Sequence, residues 1–169
     1  MSMIFDMEEA QKIGIVGIPL FGIPKIDELG GAEKGDLIII AGRPGMGKSQ
    51  MAVTISSNLG LKDHKSIYFS SLEMRDTKLV TRLISNDASL DYGKLQKGDF
   101  VASSEFLDSC NKITKSKIII DEKPGLNIYE LKARISAAKR NNNIDMAIID
   151  HGGLIKLEKG NDSVSNKIG

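Results

Sequence analysis

The sequence is short of cysteine, proline and aromatic residues, and each shortage excludes a class of protein. One cysteine, Cys110, in 169 residues excludes an intrachain disulfide framework and suits a reducing compartment. Four prolines beside 17 glycines exclude proline-rich and collagen-like chains. With no tryptophan and only 5% aromatic residues, stacking on nucleic-acid bases can make only a minor contribution.

Long apolar runs and an excess of one charge are also missing. The densest apolar stretch, residues 37–41, has five residues, whereas a membrane-spanning helix needs about 20. The N-terminal residues include acids and no long apolar region, which excludes a signal peptide. The net charge of +1, from 23 basic and 22 acidic residues, excludes a strongly basic nucleic-acid module but not a local basic patch. We therefore expect a soluble globular domain without membrane contact.

Apolar and amphipathic segments follow one another in a regular order. Continuous apolar runs predict four buried strands, at residues 36–41, 66–70, 117–121 and 145–150. Amphipathic spacing predicts the intervening helices, at residues 48–59, 76–86, 99–112 and 128–141. Asn127 and Glu130 form a capping-box pattern before the last of them. This alternation predicts an α/β fold, with a mostly parallel sheet and helices on both faces.

The length allows a single domain. We expect residues 1–21 to be an N-terminal arm or linker and residues 22–169 to form the domain, with a short helical turn at 24–29. Near the end of the chain, the spacing of Val164 and Ile168 predicts that another helix begins.

A glycine-rich segment between the first predicted strand and helix matches the phosphate-binding pattern G-x-x-x-x-G-K-[ST]. Its residues are Gly42, Arg43, Pro44, Gly45, Met46, Gly47, Lys48 and Ser49. Small residues let the backbone N–H groups approach phosphate oxygens. Lys48 would place positive charge on the β and γ phosphates, and Ser49 would offer a hydroxyl to Mg²⁺. The sequence therefore predicts a nucleotide site.

Two acidic residues follow predicted strands and complete a candidate hydrolysis site. Asp150 ends the last predicted strand, which is the arrangement of a Walker B aspartate that holds a Mg²⁺-bound water. Glu73 follows the second predicted strand and is the candidate general base. Because the carboxyl ends of parallel strands lie on one edge, both acids should converge on the phosphate loop. The alternatives are an ordinary strand-terminal Asp and a solvated loop Glu.

These residues resemble the RecA-like motor domain of DnaB-type replicative DNA helicases, in a bacteriophage-like version. The most specific matches are the Gly-Arg-Pro-x-Met-Gly-Lys form of the phosphate loop and the Ser-Leu-Glu-Met sequence at residues 71–74. Further matches follow in family order, at residues 26–31, 79–85, 120–134 and 147–150. Together, the matching segments cover roughly residues 22–155.

The resemblance implies an Mg²⁺- and ATP-dependent enzyme that forms a hexameric ring and moves along single-stranded DNA in the cytoplasm of a bacterium or phage-infected cell. It implies that Lys48 and Ser49 serve phosphate and Mg²⁺, that Glu73 is the catalytic glutamate and that Asp150 is the Walker B residue. The segment after Asp150 would begin a DNA-facing loop that holds Lys156 and Lys159. A helicase loader or primase would be a further partner.

The sequence also departs from the family pattern. The family usually has Tyr-Leu-Gln after the Walker B aspartate, whereas this chain has His151, Gly152 and Gly153. The family motor also continues beyond residue 169, with a strand that lies between the phosphate-loop strand and the Walker B strand. We therefore expect a partial domain whose later strands are missing. It should bind nucleotide, but its hydrolysis should be impaired.

Two other functions remain open at this point. The chain could be an inactive nucleotide-binding fragment that joins or blocks a helicase ring. It could also be another RecA-like ATPase, such as a recombinase, although the Ser-Leu-Glu-Met sequence and residues 124–131 argue against that interpretation.

Overall fold

The computed structural model describes residues 27–28, 32 and 34–155. The predicted arm at residues 1–21 and the helix expected near residue 163 lie outside the described residues. Of the helical turn predicted at residues 24–29, only Asp27 and Glu28 are described, and Asp27 is helical.

The described chain alternates helices with short parallel strands. Its helices are α1 (Lys48–Ser56), α2 (Asp76–Asp87), α3 (Tyr92–Lys97), α4 (Ser104–Lys115) and α5 (Ile128–Asn142). Its strands are β1 (Ile67–Ser71), β2 (Ile118–Asp121) and β3 (Met146–Asp150). A π-helical segment, Ser57–Lys62, continues α1, and a 3₁₀ turn, Gly152–Leu154, follows β3. None of the helices within these described ranges has the length and apolar character needed to traverse a bilayer.

The three strands form one parallel sheet in the order β2-β1-β3. Tyr68 of β1 is in register with Ile119 of β2 and Ala147 of β3. Every residue of β1 is buried, because strands cover both of its edges and helices cover both of its faces. The predicted α/β fold and the strands predicted near 66–70, 117–121 and 145–150 are therefore confirmed.

The strand predicted at residues 36–41 is wrong. The structure gives these residues no strand pairing with any described residue, and Leu37 and Ile39 are 85% and 78% exposed. A run of β-branched residues becomes a buried strand only where neighbouring strands accept its backbone groups. The described chain supplies no such neighbour, since β3 pairs with β1 alone.

The helices follow the predicted pattern with shifted ends. The capping box before α5 is present, since Asn127 Oδ1 accepts from the Glu130 amide at 2.8 Å and Glu130 Oε2 accepts from the Asn127 amide at 3.0 Å. Helix α2 begins at Asp76, as predicted, and Arg75 is its N-cap residue. The helix predicted at 99–112 begins later, at Ser104, because the Ser103 hydroxyl caps α4.

Helix α1 packs against the sheet and runs antiparallel to its strands. Leu59, beyond its C-terminal end, packs with Ile67 at the start of β1. Val53, nearer its N-terminus, packs with Phe69 and with Met74, which lies beyond the end of β1. The N-terminus of α1 therefore points toward the carboxyl edge of the sheet, where parallel α/β folds bind ligands.

Candidate nucleotide-binding and hydrolysis site

Residues 42–47 form a tight loop that leads directly into α1. The backbone of Gly45 and Gly47 has φ angles of 79° and 85°, in the left-handed region where a side chain would be strained. The Met46 amide donates to the Arg43 carbonyl at 3.2 Å and closes a turn within the loop. The side chains of Arg43, Pro44 and Met46 are exposed. The fixed shape of the motif therefore comes from the loop backbone and not from these side chains.

The first turn of α1 is suited to an anion. Gly47 is the N-cap residue, and no side chain caps the first amides of the helix. The first turn also contains no acidic residue. Unpaired N–H groups and the positive end of the helix dipole therefore lie next to the loop, which is the geometry that binds phosphate groups.

Carbonyl groups of the loop backbone hold the Lys48 side chain over the loop. Its ammonium Nζ donates to the carbonyl oxygens of Gly42 at 3.0 Å and Arg43 at 3.2 Å. These contacts keep positive charge at the loop, next to the helix N-terminus. Ser49 follows in the first turn and is partly buried, and its hydroxyl is an oxygen ligand of the type that Mg²⁺ prefers.

Asp150 ends β3 with a buried carboxylate. The residue is only 5% exposed, and its Oδ2 has no hydrogen-bond partner among the described residues. A buried carboxylate oxygen without a partner is energetically costly. An unpaired oxygen at the carboxyl edge of the sheet fits a residue that binds a hydrated Mg²⁺ ion, as the sequence predicts.

Glu73 lies beside the end of β3, although its chain segment follows β1. Ser71 is in register with Asp150, and the Leu72 amide donates to the Asp150 carbonyl at 2.7 Å. This bond fixes the start of the loop that carries Glu73. The Glu73 side chain is 56% exposed, so water can reach its carboxylate. The two acids therefore lie at the same edge of the sheet, and their convergence on the phosphate loop stays a prediction.

His151 is a site residue that the sequence argument did not assign. Its Nδ1 lies 3.1 Å from Glu73 Oε2. The signal in the sequence was its position directly after Asp150, at the same edge of the sheet as Glu73. Lys156 and Lys159, the predicted DNA contacts, lie outside the described residues.

A separate network of polar side chains lies at the end of β2. Arg134 Nη1 and the Tyr68 hydroxyl donate to the same Asp121 oxygen, Oδ2, at 2.7 Å and 2.6 Å. Burial acts to raise the pKa of Asp121, but these two hydrogen bonds and the charge of Arg134 outweigh it and lower the pKa. Burial and the bond to Asp121 raise the pKa of Tyr68. This network joins β1, β2 and α5. The Asp121 carboxylate already has hydrogen-bond partners, unlike Oδ2 of Asp150.

Comparisons with known proteins agree with this architecture. The family model of the DnaB-like helicase C-terminal domain matches residues 18–169. The chain is 30% identical over 149 residues to the replicative DNA helicase DnaC of Bacillus subtilis, covering 86% of this chain and 33% of the relative. It is 31% identical over 166 residues to the replicative DNA helicase DnaB of Rickettsia typhi, covering 91% of this chain and 33% of the relative. The chain therefore spans about a third of the length of these curated relatives.

Solved structures show the same similarity. A structure of a DnaB-like replicative helicase and its interactions with primase is 26% identical, with a TM-score of 0.78, and the match covers 96% of this chain and 40% of that one. A solved ATPase domain is 27% identical, with a TM-score of 0.79, and the match covers 96% of this chain and 60% of that one. The sheet, the phosphate loop and these matches together show that the chain belongs to the DnaB-like helicase C-terminal domain family, with a RecA-like fold.

Proposed function

We propose that this chain binds Mg-ATP through residues 42–49 and is part of the motor of a replicative DNA helicase. That motor couples ATP hydrolysis to translocation on single-stranded DNA and to duplex unwinding. One observation carries the proposal: an uncapped helix N-terminus, with Lys48 held beside it, faces the sheet edge where Asp150 keeps an unpaired buried oxygen. The family match makes a recombinase-type ATPase the weaker alternative.

Each site residue has a distinct role in this proposal. The loop amides and Lys48 bind the phosphates, and Ser49 and Asp150 hold Mg²⁺. Bound Mg²⁺ supplies positive charge that offsets charge on the phosphate oxygens. Glu73 orients and deprotonates the attacking water, because it is exposed at the same edge of the sheet and accepts protons.

The proposal extends to the assembly of the whole protein. Its relatives are replicative DNA helicases about three times as long as the matched region, and one structural relative was studied with primase. We propose that the whole protein forms a hexameric ring, contacts single-stranded DNA through the segment holding Lys156 and Lys159, and works with a primase or loader in the cytoplasm.

Nucleotide binding is tested with Lys48→Ala. Titration with a fluorescent ATP analogue and Mg²⁺ should show affinity at least roughly tenfold weaker than wild type, because a charge-assisted phosphate contact is lost. Lys97→Ala removes an exposed lysine on α3 and is the matched control, which should bind as wild type. Equal affinity of Lys48→Ala and Lys97→Ala would refute the proposed phosphate site.

Hydrolysis is tested with Glu73→Gln. This variant should bind Mg-ATP normally and lose hydrolysis, because the base acts on the water while the phosphate contacts come from elsewhere. Single-turnover conditions with protein in excess are suitable, since they measure even slow hydrolysis of bound ATP. Asp99→Asn, which changes an exposed loop carboxylate, should hydrolyse at the wild-type rate. Hydrolysis by Glu73→Gln at that same rate would exclude Glu73 as the base.

A further inference from the structure

The contact between His151 and Glu73 joins the two loops that leave β1 and β3. Nδ1 of His151 lies 3.1 Å from Oε2 of Glu73, and the two side chains are 43% and 56% exposed. A pair this exposed contributes little to folding stability. Its place matters more, because it joins the candidate base to the residue that directly follows the candidate metal ligand Asp150.

The 3₁₀ turn after β3 runs close to the imidazole ring. A Cβ atom built on Gly153 would lie 3.2 Å from Cδ2 and 3.3 Å from Nε2 of His151. These distances are tighter than ordinary van der Waals contact, so the ring lies closely over the backbone at Gly153. The absence of a side chain at this position leaves room for the ring. The imidazole ring therefore lies between the turn, which leaves room for it, and Glu73, which contacts it.

The chemistry of the two groups determines the direction of the bond. An ionised carboxylate accepts hydrogen bonds and cannot donate them, so Nδ1 is the donor and Oε2 the acceptor. The bond fixes one carboxylate oxygen and leaves Oε1 to accept the proton of a water molecule. A base held in one orientation by a third group is the arrangement that general-base sites require.

We propose that His151 is a positioning residue for Glu73, and that Gly153 provides the space for it. The inference rests on the proposed function, in which Glu73 acts on the attacking water. His151 does not touch nucleotide in this scheme and acts only through the orientation of Glu73. The His-Gly-Gly sequence, which departs from the usual family pattern after Asp150, thereby forms a specific contact in this site.

Kinetics of His151 variants test the proposal in the full chain. His151→Ala should lower the single-turnover hydrolysis rate of Mg-ATP roughly tenfold to a hundredfold, because a misplaced catalytic group costs about this much. Its KM and its affinity for the ATP analogue should stay within about twofold of wild type, since phosphate binding is unaffected. His64→Asn is the matched control, because His64 is exposed, has a φ of 56° that Asn tolerates, and should not alter hydrolysis.

Conservative variants distinguish positioning from a general structural role. The amide nitrogen of Asn can occupy the place of Nδ1, whereas that of Gln reaches the place of Nε2. His151→Asn should therefore recover most of the rate, and His151→Gln should not. Gly153→Val should lower the rate as His151→Ala does, because it displaces the ring.

A spectroscopic measurement is independent of hydrolysis. The chain has two histidines, so His64→Asn assigns the ¹⁵N signals of His151. In wild type, Nδ1 of His151 should show the shift of a protonated, hydrogen-bonded nitrogen, and Glu73→Ala should move it toward that of a free imidazole.

The outcomes separate the inference from the proposed function. An inactive Glu73→Gln with a fully active His151→Ala, equal recovery by Asn and Gln, or an Nδ1 shift that ignores Glu73→Ala would overturn the positioning role alone. Full activity of Glu73→Gln would overturn the proposed role of Glu73, and the inference with it.

Discussion

Residues 36–41 and strand β1 both contain residues that favour strands, but their surroundings are very different. Phe69 of β1 is fully buried between two neighbouring strands and helix α1, whereas Leu37 is 85% exposed. Both segments contain the residues that favour strands, so composition does not distinguish them. The difference is the presence of neighbouring strands, which β1 has on both edges. In the described chain, the sheet is therefore well packed, whereas residues 36–41, which lead into the proposed phosphate-binding loop, are exposed.

Of the substitutions that test this difference, Phe69→Ala should have the largest effect. Removing a fully buried phenyl ring should lower the free energy of unfolding by about 3–5 kcal/mol, through lost burial and the cavity left behind. Ile39→Ala, at a position 78% exposed, is the matched control and should cost less than about 0.5 kcal/mol. Urea denaturation followed by circular dichroism measures both. Similar losses of unfolding free energy in both variants would mean that residues 36–41 are packed as tightly as β1.

Gly60→Ala should have the next largest effect. A Cβ atom at Gly60 would lie 2.6 Å from two side-chain carbons of Ile118, so the Ile118 side chain, the π-helical segment or β2 must move. We expect a loss of about 1–3 kcal/mol, which is typical of overpacking a core. Gly42→Ala, where a Cβ would make only ordinary contacts, should leave thermal unfolding unchanged. A neutral Gly60→Ala would show that the Ile118 side chain or β2 adjusts easily to the added methyl group.

Asp121→Asn should cost about 1 kcal/mol at neutral pH, because it replaces a charge-assisted bond to Arg134 with a neutral one. The lowered pKa of Asp121 stabilises the fold above the unfolded pKa of about 4, and this stabilisation is lost as the pH falls through the folded pKa. The difference between wild type and Asp121→Asn should therefore shrink as the pH falls below about 4 and disappear once the pH is below the folded pKa of Asp121. Urea denaturation at several pH values measures this difference in the free energy of unfolding. A difference that does not change with pH would show that the ionised Asp121 carboxylate does not stabilise the fold.

Local patterns made much of the site predictable. The phosphate loop is a continuous motif. Asp150 ends β3, and Glu73 lies two residues beyond the end of β1, so both are at the edge where the carboxyl ends of these strands meet. The α5 capping box is equally local.

The short helix α3 was missed although its signals are also local. Asp91 caps it by accepting from the Lys94 amide at 2.7 Å, and Gly98 ends it with a φ of 73°.

The features that sequence could not predict depend on distant neighbours. Residues 36–41 were expected to be buried because their composition is that of a strand, but pairing depends on what lies beside them. The contact between His151 and Glu73 joins residues 78 positions apart and follows from the register of β1 and β3. The network of Tyr68, Asp121 and Arg134 likewise requires three elements to be in place.

The smallest expected effect is that of Leu37→Ser. A leucine that is 85% exposed gains little from burial, so its replacement by a polar residue should change the free energy of unfolding by less than about 0.5 kcal/mol. Hydrogen exchange supplies a second measurement: amides of residues 37–40 should exchange much faster than those of β1, since no strand in the described chain pairs with them. A loss above about 1 kcal/mol together with slow exchange at residues 37–40 would show that this segment is paired in solution. The contrast with β1 would then be wrong, and the phosphate loop would be held by the sheet itself.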